Sequence, residues 1–170
     1  MPGIAIKPMV ATEIQRQLNH ELGAAQGYLA MALWCDHEHY SGFAAFFHKQ
    51  VEEERAHAAK FMAHLLDRGV RPEIRVLAAP KSEYATLFDV VKQAQAMERV
   101  NTEGVNATYE AALASKDYPA QVLLQWFIQE QVEEEAWADE LLDRVQSATC
   151  AGSMMDLDRH LDKILGADKK

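Results

Sequence analysis

Little in this chain interrupts a helix: 170 residues carry only eight glycines and five prolines, and long stretches contain neither. Cysteine is scarcer still. Cys35 and Cys150 stand far apart and form no CxxC pair. That excludes a disulfide framework and a zinc or rubredoxin-type knot, and it suits a cytoplasmic home. No apolar run approaches the ~20 residues that a membrane span needs. The opening stretch MPGIAIKPMVAT has no basic segment followed by an apolar one, so no secretory signal is expected. Basic residues are outnumbered 17 to 26, and the net charge is −9. Such a surface argues against nucleic acid and anionic membranes and tolerates cations. What is present is 49% hydrophobic and 25% charged residues, a soluble globular composition. The length suits one domain over residues 1–170, with a core that needs no staples.

The stretches without Gly or Pro carry helical periodicity. The spacing predicts a first helix over 12–38, ended by His39-Tyr40-Ser41-Gly42, and a second over 43–68, closed by Gly69. Residues 70–81 contain Pro72 and Pro80 and read as extended. Ser82 is a candidate N-cap for a third helix reaching Ser115. After the turn Lys116-Asp117-Tyr118-Pro119, a fourth helix runs to Gln146, with Pro119 at its first position. Ala151-Gly152-Ser153 breaks it, and a short amphipathic fifth helix spans 155–165. Short turns make helices one and two, and three and four, antiparallel hairpins. The dozen extended residues between the hairpins can run the length of a bundle and set helices two and three parallel. The expectation is an all-α four-helix bundle with one long crossover and a short C-terminal fifth helix.

Stepping by three and four along each helix exposes an anomaly. The apolar stripes read Ile14, Leu18, Glu21, Ala25, Tyr28 on the first helix and Phe47, Gln50, Glu54, His57, Phe61 on the second. They continue as Val91, Ala94, Glu98, Asn101, Val105 on the third and Phe127, Gln131, Glu134, Ala138 on the fourth. Each has a carboxylate near its centre. A buried carboxylate is costly unless paired or bound to metal. Four on stripes almost devoid of basic residues would repel one another, and a bound polycation resolves this. Carboxylates with one imidazole suit iron or manganese, with zinc as a competitor.

Spacing strengthens the reading. Glu54 and His57 follow Glu21 by 33 and 36 residues; Gln131 and Glu134 follow Glu98 by the same 33 and 36. Each hairpin offers one residue on its first helix and an i, i+3 pair, one turn apart on one face, on its second. This is the di-iron carboxylate arrangement of ferritin-like bundles. Taken singly, Glu98 reads as a surface residue and His57 as an ordinary histidine. Glu52 and Glu135 read as solvated, and His20, His37, His39, His48, His64 and His160 as ordinary core or surface residues.

LNHELGAAQGYLAMALWC, VEEERAH and DYPAQVLLQWFIQEQVEEE together resemble segments of the bacterial non-haem ferritins, and the likeness runs nearly end to end. The resemblance implies iron storage and ferroxidase activity, with Fe(II) as substrate and dioxygen or hydrogen peroxide as oxidant. It implies that Glu21, Glu54 and His57 hold a first iron. Glu54, Glu98 and Glu134 hold a second, with Glu54 bridging and Gln131 beside it or weakly ligating. Tyr28 is implied as a hydrogen-bond partner and one-electron donor, against the plainer reading of a core tyrosine. Trp126 is similar to a tryptophan near the family's site, against a helix-packing role. Glu53, Glu130 and Glu133 match the carboxylates of a third iron site; by themselves they read as a solvated acidic patch. The fifth helix resembles the one at the four-fold axis of a hollow 24-subunit homo-oligomeric shell; alternatively it packs on its own bundle.

Two departures qualify the likeness. Haem-containing relatives place a Met directly after the bridging glutamate, where this chain has Arg55, so no haem is expected. Animal ferritins line a three-fold channel with acidic residues early in helix four, where Gln121-Val122-Leu123-Leu124 is neutral. The alternatives are a rubrerythrin-like di-iron oxidase or peroxidase, which usually brings the absent CxxC domain, and a redox-inactive structural bundle, against which the intact ligand set argues. A mini-ferritin with ligands shared between subunits is disfavoured, because both ligand sets lie in one chain.

Overall fold

A computed structural model describes residues 5–166; the start of the N-terminal stretch (1–4) and residues 167–170 lie outside the described residues. Five helices form: α1 Pro8–His37, α2 Ser41–Asp67, α3 Leu87–Ala114, α4 Tyr118–Ser147 and α5 Ala151–Gly166. None is long and apolar enough to cross a membrane.

Local chemistry moves several helix starts from their expected places. α1 begins at Pro8 rather than Thr12, because proline's fixed φ and missing N–H suit the first turn. α2 starts at Ser41, and its C-terminus turns at Gly69 with φ 75, a left-handed conformation that glycine adopts without strain. α3 starts five residues after Ser82. Its N-cap is Thr86, whose Oγ1 accepts from the Asp89 amide (3.2 Å) and donates to the Asp89 carboxylate (2.7 Å). α4 starts at Tyr118, one residue ahead of Pro119, with Asp117 as its cap. α5 starts at Ala151, so the break lies before Gly152. The Cys150 N–H donates to Ser153 Oγ (3.2 Å) and the Ser153 N–H to Cys150 Sγ (3.4 Å), a reciprocal cap.

α1 pairs with α2 and α3 with α4, the two expected hairpins. The crossover, residues 68–86, runs along α1, and buried amides of α1 hold it. Gln15 Oε1 accepts from the Glu73 N–H (2.9 Å), Asn19 Oδ1 accepts from the Arg75 N–H (2.8 Å), and both side chains donate to the Glu73 carbonyl. Farther along, Tyr84 packs edge-on against Trp34 (5.9 Å, 76°). α3 therefore starts at the far end and runs antiparallel to α1, with Arg16 against Thr108 and Glu21 against Asn101. α2 and α3 are parallel, as the crossover length predicts.

The bundle core is divided. One apolar cluster holds Tyr28, Met31, Phe43, Phe47 and Leu141; the other holds Ile14, Leu18, Phe61, Leu65 and Phe127. Between them lies a buried polar layer containing Glu21, Glu54, His57, Glu98, Asn101, Gln131 and Glu134. α5 packs on α2 and α4 of its own bundle, adding Leu157 and Leu161 to the first cluster. The Phe43 N–H donates to Asp158 Oδ1 (3.0 Å), and the chains approach so closely that a Cβ on Gly42 would stand 1.8 Å from the Asp158 carbonyl oxygen.

Candidate metal centre

All four helices of the bundle contribute to the polar layer at mid-length, where their apolar stripes would otherwise meet. Glu21, Glu54, His57, Glu98 and Glu134 are each at most 3% exposed. Ligand atoms of Glu21, Glu54 and His57 lie within 4.8 Å of one another, the only such trio among the described residues. His57 Nδ1 is 3.4 Å from Glu54 Oε2 and 3.9 Å from Glu21 Oε2. Glu54 Oε2 and His57 Nδ1 are buried and have no hydrogen-bond partner. Orphaned buried polar atoms are expensive, and atoms of these types facing each other suit a shared cation. The donor set, hard oxygens with one imidazole, fits iron.

The remaining carboxylates are held by hydrogen bonds. The Tyr28 hydroxyl donates to Glu98 Oε1, and the Trp137 indole N–H to Glu134 Oε2. Gln131 Nε2 donates to Glu98 Oε2 (3.3 Å), the Glu98 carbonyl (3.3 Å) and Thr102 Oγ1 (3.2 Å), so its amide faces Glu98 from α4. Gln17 and Asn101 donate to the two oxygens of Glu21 (2.8 and 3.2 Å).

Burial drives these acids up. Glu21 and Glu54 are pushed well above the ordinary carboxylate range, Glu98 to about 7 and Glu134 to about 8. Loss of solvation is the largest cause in each, and the neighbouring carboxylates add to it: Glu54 on Glu21, and Glu98 on Glu54 and on Glu134. Burial, then Glu98, pushes the Tyr28 phenol up. A cluster that ionises so reluctantly is relieved by a cation.

The flanking candidates are less enclosed. Glu53 and Glu130 are half-buried and Glu133 is exposed. Glu53 accepts from Gln50 Nε2 (2.7 Å) and lies 4.0 Å from Lys49, while Glu130 Oε1 is 4.0 Å from His57 Nε2. Tyr28 is fully buried and stacks on Phe47 (6.0 Å, 18°). Trp126 stands edge-on to His57 (5.6 Å, 74°), so its packing partner is the site histidine itself. Of the histidines, only His57 is buried. Glu52 is exposed and paired with Arg55 (2.7 Å), and Glu135 is half-buried.

Sequence reading assigned no role to Gln17, Asn101 or Trp137. Their signal was present: Gln17 lies one turn before Glu21, Asn101 one turn after Glu98 and Trp137 one turn after Glu134, all on the site face.

The ferritin-like domain family matches residues 11–148. The chain is 42% identical over 120 residues to the bacterial non-heme ferritin of Staphylococcus aureus strain MRSA252, covering 71% of this chain and 72% of that protein. It is 39% identical over 127 residues to the Staphylococcus haemolyticus protein of the same name, covering 75% and 76%. Its fold matches an open-pore ferritin from the hyperthermophilic archaeon Archaeoglobus fulgidus with a TM-score of 0.90 at 28% identity, over 92% of this chain and 98% of that one.

Proposed function

The chain belongs to the ferritin-like domain family and is an iron-storage protein that oxidises iron; from that premise we propose that Glu21, Glu54, His57, Glu98 and Glu134 form a ferroxidase centre for two Fe(II) ions within one subunit. The observation that carries this is the pair of buried, unpartnered ligand atoms, Glu54 Oε2 and His57 Nδ1, in a layer of carboxylates that lacks a cation from the protein.

Fe(II) is the substrate. Each of two Fe(II) ions gives up one electron. Dioxygen takes both with two protons to yield hydrogen peroxide, or hydrogen peroxide takes both with two protons to yield two waters. The residues divide the work. Glu21 and His57 face one position, and Glu98 and Glu134 the other. Glu54, free of hydrogen-bond donors at Oε2 and close enough to feel the charges of both Glu98 and Glu134, is assigned the bridge. Hard oxygen ligands favour the Fe(III) product. Phe47, Phe61 and Phe127 in the flanking clusters keep bulk water out. Tyr28 donates a hydrogen bond to Glu98, and this contact supports its role as donor of a further electron. Glu53, next in sequence to Glu54, Glu130, 4.0 Å from His57, and Glu133, one turn after Glu130, are assigned a third iron position. Gln131 orients Glu98 rather than binding strongly itself.

The ferric product is stored inside a 24-subunit shell in the cytoplasm. Similarity to ferritins over nearly the whole chain supports assembly. Size-exclusion chromatography reads it: a particle of hundreds of kilodaltons supports storage, and a dimer supports a discrete oxidase.

Anaerobic Fe(II) titration followed by oxygen, read by ferric absorbance, tests the centre. The expected result is rapid oxidation of about two Fe(II) per chain, or about three with the outer position filled. Glu54→Ala abolishes the rapid phase; an unchanged rate would overturn the assignment.

A further inference from the structure

We propose that Gln17 and Asn101 are positioning residues that present Glu21 to the first metal, and that half-buried Arg16, accommodated beside Gly104, sets the sense of their amides. This rests on the metal-centre reading above.

A carboxamide is ambiguous: one end donates and the other accepts, and a flip reverses what it offers. Here the sense is determined from outside. Arg16 is half-buried on α1, and a guanidinium only donates. Its Nη1 donates to Gln17 Oε1 (3.2 Å), while its Nη2 donates to the Gly104 carbonyl (2.9 Å) and Thr108 Oγ1 (3.1 Å) on α3. Gln17 Oε1 is thereby turned toward the cation, and Nε2 must face inward. There it donates to Glu21 Oε1 (2.8 Å) and Asn101 Oδ1 (2.5 Å). With Oδ1 taken, Asn101 turns Nδ2 to Glu21 Oε2 (3.2 Å) and Gln131 Oε1 (3.4 Å). Gln131 in turn donates to Glu98. Three amides, at most 3% exposed, thus run in one sense from α1 through α3 to α4.

The consequence for the ligands is specific. Both oxygens of Glu21 receive an amide N–H, so the carboxylate is held in one orientation before metal arrives. Glu54 Oε2 receives none. The first position therefore has one carboxylate held at both oxygens and another whose Oε2 is left for the metal.

Gly104 is independent support. A Cβ there would stand 2.5 Å from Gln17 Oε1 and 3.2 Å from Arg16 Nη1. A mid-helix glycine costs about 0.5–1 kcal/mol relative to alanine. At this place it leaves room for the Arg16–Gln17 contact.

The test uses Co(II), redox-inert here, titrated anaerobically into the assembled metal-free protein and read by visible absorption, beside the melting temperature of the metal-free form. In Gln17→Leu, Asn101→Leu and Gly104→Ala, affinity for the first Co(II) falls roughly 10–100-fold, the range for loss of an outer partner of a metal ligand. The second Co(II), on Glu98 and Glu134, changes least in Gln17→Leu. Gly104→Ala argues against a merely structural role through the split between sites: first-site affinity drops while the second is kept, and the melting temperature, in which helix propensity gained offsets the displaced Gln17 tip, reports the structural cost separately. Unchanged first-site affinity in both Gln17→Leu and Gly104→Ala overturns the proposal. Glu21→Ala separates the failures. If it too leaves Co(II) binding unchanged, the metal-centre reading has failed; if it alone abolishes the first site, only the amide relay has.

Discussion

Glu54 Oε2 and His57 Nδ1 face each other at 3.4 Å, one turn apart on α2, both buried and neither hydrogen-bonded. Every other carboxylate of the layer has an amide, phenol or indole donor from the bundle. Among the described residues only these two atoms and Gln50 Oε1, one turn earlier on α2, are buried without a partner, and these two face each other. In a helix whose neighbours on both sides are Phe47 and Phe61, that gap is the mark of a ligand, and the layer around it has measurable costs.

Without metal, stability falls as pH rises. Glu98 at about 7 and Glu134 at about 8 hold protons in the folded chain that an unfolded carboxylate releases near 4.5. Between these values the native state binds more protons than the unfolded one, so the slope of stability with pH is negative. The melting temperature of the chelator-treated protein should drop between pH 5 and pH 8. Metal displaces those protons, so added Co(II) should stabilise more at pH 8 than at pH 6 and release protons into weak buffer. A flat profile would show that the acids ionise freely.

Trp137→Phe should separate the two metal positions. Phenylalanine keeps the edge-on packing against Phe46 (4.9 Å, 72°) but lacks the N–H that Glu134 accepts. The second Co(II) should bind roughly 10–100-fold more weakly with the first unchanged, the converse of the pattern for Gln17→Leu. Equal weakening at both positions would mean that the indole acts on the whole layer.

At one end of the bundle, Arg68 grips Asp117 through two bonds of 2.9 and 3.0 Å, with both side chains nearly buried. Asp117 also caps α4 through the Ala120 N–H. Burial pulls its carboxyl up, but Arg68 and the backbone donors outweigh it and hold it below its ordinary value. Its stabilisation is therefore complete above the unfolded pKa and is lost as pH falls through the depressed one. Asp117→Ala removes both the buried carboxylate that Arg68 grips and the side-chain cap of α4, and should cost about 2–4 kcal/mol, lowering the melting temperature by roughly 2–4 °C per kcal/mol. A calorimetric loss under about 1 kcal/mol would place the pair among weak surface bridges.

Gly42→Ala should loosen α5. The added Cβ meets backbone, the Asp158 carbonyl, which cannot swing aside as a side-chain tip can. Overpacking of this kind costs about 1–3 kcal/mol. Limited proteolysis should cut faster at residues 148–150, between α4 and α5. Unaltered cleavage would mean that the helix shifts without undocking.

The four long helices and their hairpins were legible because they depend on local spacing: glutamates interrupting apolar stripes, and two hairpins that repeat the intervals 33 and 36. The helix starts were not. Residue type favours Ser82 over Thr86 as a cap, and Thr86 prevails because the four residues after Ser82 continue the crossover along α1, where Tyr84 meets Trp34. Ala151-Gly152-Ser153 reads as a break in sequence, yet all three lie in α5, whose start is capped by the reciprocal bonds of Cys150 and Ser153.

By itself, then, the sequence determined an all-α bundle with acids at its centre, since a period of 3.6 residues assigns each residue to a face without reference to the rest of the chain. Tertiary structure alone decided which polar residues serve those acids. Gln17 and Asn101 are 84 residues apart, and only the antiparallel approach of α1 and α3 makes their amides meet over Glu21. An amide's hydrogen-bonding sense has no signature in sequence, because it is set by neighbours in space, here by Arg16 and the gap beside Gly104.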